Sequence, residues 1–106
     1  MEISVFKNNN KTLYFAFYKD EGPYFVPIGT QIKFTVKKYL EDSDENIVFS
    51  KTITGDGSSN YSVALTATDT NQPCGLYWWD LKDITTGVTI STPDRFNIRQ
   101  VVLIND

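Results

Sequence analysis

From residue 65 to residue 81 the chain passes through the end of one alternating run, a polar corner and an aromatic run, and the other runs can be arranged around it. Tyr77, Trp79 and Leu81 alternate with Leu76, Trp78 and Asp80. Successive side chains of a strand point to opposite faces, so the first trio is expected in the core and the second outside. Ile32, Phe34 and Val36 alternate with Lys33, Thr35 and Lys37, the cleanest amphipathic pattern in the chain, and Tyr39 continues its polar face. Over residues 12–18 both sets are apolar, Leu13, Phe15 and Phe17 against Tyr14, Ala16 and Tyr18. That pattern predicts a central strand covered on one face and partly sheltered on the other. Ile3, Val5 and the adjacent Phe6 predict a short first strand, and Phe96 with Ile98 a late one. Residues 47–53, interleaved with Ser50, Lys51 and Thr52, fit an edge strand. Tyr61, Val63 and Leu65 form the inward set of residues 61–67. Val101, Val102, Leu103 and Ile104 are apolar at both alternating sets.

The breaks between these runs are as informative as the runs. Residues 7–11 form a polar loop whose three Asn tolerate left-handed backbone. Gly22-Pro23 marks a turn, and Pro27 with Gly29 keeps the following residues irregular. Residues 41–46 form an acidic loop, and Gly55-Asp56-Gly57 predicts a hairpin turn into residues 61–67. Thr85-Thr86-Gly87 turns the chain into residues 88–91, which Pro93-Asp94 separates from Phe96. Thr68, Asp69, Thr70, Asn71, Pro73 and Gly75 favour a helical turn or tight loop, with Asp69 and Thr70 binding nearby backbone N–H groups. Seven to nine short strands with a turn roughly every ten residues, no helical period and no repeat describe an all-β, immunoglobulin-like two-sheet β-sandwich. An oligonucleotide-binding barrel would usually have fewer, longer, more curved strands. Tyr77 stands where the tyrosine corner of such sandwiches has its Tyr, with the hydroxyl bonded back to the corner's own backbone. On this template the aromatic strand pairs with the Ile32 strand on one side and the Phe96 strand on the other. Phe15, Phe34, Val36, Val63, Leu65, Tyr77, Trp79 and Leu81 form the expected core.

Composition narrows the chemistry. A chain of 106 residues suits one domain, residues 1–106, and is too short for two cores. A net charge of −3 without a basic run argues against nucleic acid, which is bound mainly by Lys and Arg. No histidine is present, so imidazole-based hydrolases and His metal sites are excluded. Asp42, Asp44 and Asn46 match three ligand positions of a calcium loop, but Ile47 replaces its Gly and Ile53 its closing Glu, so these residues read as a solvated loop. The single Cys74 has no partner for an intrachain bridge and reads as a small buried or half-buried thiol, with Lys82 the one nearby cation. The first residues lack the apolar core of a signal peptide, and no run is long enough to span a bilayer, so neither export by that route nor a membrane anchor is expected. No metal, cofactor or enzymatic activity is expected. Trp78 is the one large aromatic turned outward on the central strand, with Lys33, Lys37 and Tyr39 expected on one side and Arg95, Asn97 and Arg99 on the other. Flanking Lys and Arg stems can shield such a ring, but Trp, Tyr and Arg are also the residues that dominate binding surfaces.

Leu65-Thr66-Ala67-Thr68-Asp69-Thr70 and Gly75-Leu76-Tyr77-Trp78-Trp79-Asp80-Leu81 resemble a corner pattern, Leu-Thr-x-x-Asp-Thr, a spacer, then Pro-Gly-x-Tyr-x-Tyr-Asp, of the amino-terminal domain of the upper baseplate protein family of Gram-positive phages. The likeness extends loosely to residues 13–18 with Asp20 and Gly22, to Ile32, Phe34, Val36 and Lys37, and to Phe96 and Ile98. The chain departs from the pattern in Pro73-Cys74 before the Gly and in Trp79 for the second Tyr, and no further domain is expected after Asp106, where members of the family commonly carry more. The resemblance implies a non-enzymatic virion protein of a phage or prophage tail or baseplate, made in the host cytoplasm, assembling with itself or with other virion proteins and carrying no active site. Trp78, Tyr39, Val101 and Leu103 are the expected contact residues. The alternative is a small carbohydrate-binding sandwich that stacks a glycan on Trp78 and Tyr39.

Overall fold

The structure, a computed structural model, describes residues 1–19, 21–40 and 44–100. In chain order its strands are β1 (Ile3–Phe6), β2 (Lys11–Ala16), β3 (Tyr18–Lys19), β4 (Gly22–Pro23), β5 (Gln31–Lys37), β6 (Ile47–Thr54), β7 (Asn60–Leu65), β8 (Gly75–Asp83) and β9 (Val88–Arg99). A 3-10 turn at Asp44–Asn46 precedes β6, and a one-turn helix α1 (Ala67–Thr70) follows β7. One sheet has the order β1-β9-β8-β5-β6; β2 and β7 form a second, and β3 with β4 a small hairpin. The fold is therefore an all-β, immunoglobulin-like two-sheet sandwich. β8 pairs antiparallel with β5 on one side and β9 on the other, as the template required. β6 lies at the sheet edge, as its interleaved polar residues indicated. β1 runs parallel to the last third of β9, Ile3 opposite Phe96.

Period-2 alternation decides the core. Phe34 is wholly buried at its centre, with ring centroids 5.9 Å from Phe15, 5.8 Å from Trp79 and 6.4 Å from Phe96. Phe15 comes from β2 and the other rings from the larger sheet, so this aromatic cluster joins the two layers. All eight expected core residues are buried, Trp79 with only 3% of its surface exposed. The Trp79 indole N–H donates to the Met1 carbonyl at 2.9 Å, which removes the cost of burying that polar edge.

The corner is built by local hydrogen bonds. The Thr66 hydroxyl accepts from the Asp69 N–H while the Asp69 carboxylate accepts from the Thr66 N–H at 2.8 Å, a reciprocal capping box. The Tyr77 hydroxyl donates to the Pro73 carbonyl at 2.6 Å, which is the tyrosine-corner bond. Asn8 has φ 65°, as the Asn-rich loop allowed. From that loop the Asn10 side-chain oxygen accepts from the Ala67 N–H at 2.8 Å.

Several expectations are corrected. β2 is not central: β7 is its one strand neighbour among the described residues, and its second face is open. Residues 55–57 do not close a hairpin; β6 and β7 belong to different sheets, and the segment crosses between them. Gly55 donates to the Thr30 carbonyl and Gly57 to the Val26 carbonyl, so these turn glycines bond to the segment before β5 rather than to each other's strands. Pro93 lies inside β9 instead of ending it. The register shifts there, between the Trp79–Asp94 and Leu81–Ser91 pairs, and β1 begins its pairing only at Phe96, so no ladder bond is lost at the proline. The Thr70 hydroxyl donates to the Asn9 carbonyl at 2.8 Å rather than accepting from an N–H. Cys74 is free and exposed, not buried, and its thiol faces the Gln100 side-chain oxygen at 3.7 Å.

Candidate interaction surface

Trp78 does lie on the outer face of β8, opposite Lys37 of β5 and Arg95 of β9. It is half-buried. Thr35 and Lys37 are buried on that face, and the Lys37 ammonium lies 3.5 Å from the Asp80 carboxylate. The long Lys stem covers apolar surface while its charge meets a carboxylate, the shielding available to an outward Trp. Tyr39 lies beyond the end of β5, is exposed, and has the Lys38 ammonium 5.6 Å from its ring centre. Val101 and Leu103 lie outside the described residues.

A second surface arises on the opposite side of the sandwich. Leu13, Phe15 and Phe17 point into the core, so Tyr14 and Tyr18 point away from it, 77% and 70% exposed. Beside them, between β2 and the first half of β9, runs an apolar groove. One depression of about 380 Å³ is lined by Met1, Tyr14, Tyr18, Tyr24 and Ile90, with Trp79 and Leu81 at its base. A second, of about 370 Å³, shares Tyr18, Tyr24 and Ile90 and continues past Lys19 to Val88. The Lys19 ammonium sits over the Tyr24 ring, 4.2 Å from its centre. Both strand edges along this groove are open among the described residues: β2 pairs on its far side with β7, and β1 pairs with β9 only from Phe96 onward.

The sequence presented Tyr14 and Tyr18 as apolar residues to be sheltered. The signal available was the difference between the two sets: one carries no polar atom, whereas both Tyr carry a hydroxyl that suits a wet boundary.

The titratable groups are arranged for holding structure. Burial raises the Asp69 carboxyl, but hydrogen bonds from Lys51 and from the Thr66 N–H and hydroxyl, with the Lys51 charge, outweigh it and leave the pKa lowered. The Asp94 carboxyl is lowered by its bond from the Met1 ammonium and by the Arg95 N–H. Burial, and then the neighbouring Cys74, raises the Tyr77 hydroxyl above its ordinary 10.0. Among the described residues no three Cys, Asp or Glu side chains converge to hold a metal ion, and no helix is long and apolar enough to cross a membrane. Set against known proteins, the chain matches no family model and no curated protein.

Proposed function

We propose that this sandwich is a non-enzymatic assembly domain that works by protein–protein contact, and that it belongs to a phage or prophage tail or baseplate. The observation that carries the assembly reading is the flank of β2, where two aromatic side chains more than two-thirds exposed stand beside an apolar groove and a strand edge unpaired among the described residues. A stretch of open edge with large exposed apolar residues is a surface that soluble proteins normally cover or blunt. The chemistry of the chain agrees. It has no histidine, and among the described residues the two carboxyls that shift are lowered, which keeps them ionised, whereas a general acid needs its pKa raised. The virion assignment rests on the resemblance of the 65–81 corner to baseplate domains, whose Tyr77 bond to Pro73 belongs to the same corner.

The glycan reading needs an open aromatic platform. Tyr39 is exposed, but Trp78 is half-buried beside the Lys37 stem, and this favours the protein partner. Particles released from the source bacterium by prophage induction, purified and analysed by mass spectrometry, should contain the chain in stoichiometric amount. Its absence from such particles would overturn the virion assignment. Retention on glycan columns that is lost in Trp78→Ala would replace the assembly reading with the carbohydrate one.

A further inference from the structure

We propose that the groove beside β2 is a strand-addition site and that its occupant is the 101–104 segment of a second copy of this chain; the inference rests on the assembly reading above. The edge is competent for pairing. The Phe17 N–H donates to the Ser59 carbonyl at 2.8 Å, toward the β7 side. Backbone groups alternate in direction along a strand, so those of Leu13 and Phe15 also face β7, while those of Thr12, Tyr14 and Ala16 face the open edge. A strand laid against them would send alternate side chains over Trp79, Leu81 and Ile90 and the others beside the rings of Tyr14 and Tyr18. Main-chain bonds would supply affinity and the two apolar rows specificity.

Such a donor must be apolar at both alternating sets over about four residues. The Val101-Val102-Leu103-Ile104 run meets that condition. It cannot reach the Ile90 end of its own groove. Ile90 lies nine residues before Arg99 in one continuous strand, a distance of about 30 Å, whereas the five residues from Arg99 to Ile104 span at most ~17 Å fully extended, before any reversal of direction. Only another molecule can bring the segment there. The contact is head-to-tail, one chain's segment in the next chain's groove, so it builds rings if the rotation closes and open polymers if it does not.

The test is sedimentation of the full chain and two single variants. Ala16→Pro removes one outward N–H from an edge position, where proline is tolerated, and Leu103→Asp places a charge in the donor. The parent should associate reversibly, and each variant should raise the half-association concentration by about tenfold or more, with an unchanged melting temperature. If Ala16→Pro does not fold, Tyr14→Asp at the exposed ring takes its place. A mixture of the two variants should recover association as far as one-to-one pairs, because the Ala16→Pro chain keeps its donor and the Leu103→Asp chain its groove. A symmetric β2–β2 pairing would instead leave Leu103→Asp associating like the parent. Association of Leu103→Asp like that of the parent, or no recovery on mixing, overturns the proposal. A parent that stays monomeric overturns it too, while leaving assembly with other virion proteins standing; the absence of the chain from particles overturns only the virion assignment.

Discussion

Two adjacent tryptophans have opposite fates, and one step of strand register separates them. Trp79 is locked among Phe15 and Phe34 with its N–H bonded, so Trp79→Ala should cost roughly 3–5 kcal/mol in denaturant unfolding. Trp78→Ala should cost about 1 kcal/mol or less, since its half-buried ring lies on the outer face rather than in the core. Equal losses would mean that the outer face is packed as tightly as the inner. Tyr77→Phe removes the bond to Pro73 and should lower stability by about 1 kcal/mol. The hydroxyl's pKa is raised in the folded state, so its contribution is whole below the ordinary value of 10.0 and is lost as pH rises through the folded value. The parent should therefore lose stability above pH 10 more steeply than Tyr77→Phe does. Gly55 shows a different constraint, for a Cβ there would meet the Pro27 carbonyl oxygen at 2.3 Å and Val26 at 2.8 Å. Gly55→Ala should cost ~1–3 kcal/mol, read from the same unfolding curves, because the obstacle includes backbone.

Between elements, α1 acts as a clamp. Its Asp69 carboxylate meets the Lys51 ammonium of β6 at 2.7 Å, and Thr70 and Ala67 bond to the loop after β1, so one turn of helix ties the two sheets and the first loop together. The Asp69 pKa is lowered on folding, so the stabilisation is complete above the ordinary value of 3.8 and disappears as pH falls through the folded one. Asp69→Asn should be less stable than the parent at neutral pH, and the difference should shrink in acid. A constant difference from pH 7 to pH 2 would show that the carboxylate's charge is irrelevant to the clamp.

For the molecule as a whole, the imbalance between a five-stranded sheet and a two-stranded one leaves the outer edge of β2 and of the first half of β9 unpaired among the described residues, and the proposed association rests on that. Folding itself needs no covalent help. With a single exposed Cys74 there is no intrachain bridge to reduce, so reductant should leave the melting temperature unchanged. A drop on reduction would reveal a disulfide between chains that contributes to stability.

Alternation alone placed Tyr77, Trp79, Leu81, Phe34 and Val36 in the core and Trp78 outside it, because a period of two is a local property of an extended chain and leaves one choice once the apolar set is known. The corner was legible for the same reason: Thr66, Asp69 and Tyr77 act within a few residues of one another. Which strands become neighbours is not local. The glycines at 55 and 57 announce a reversal equally well whether the next strand joins the same sheet or the facing one. Pro93 forbids a ladder bond but does not say whether a partner would have needed it. The apolar set Tyr14 and Tyr18 was visible in the sequence, but only the tertiary structure decided that nothing in the described chain lies over it, because exposure depends on which distant segments arrive, and here they cover the other face.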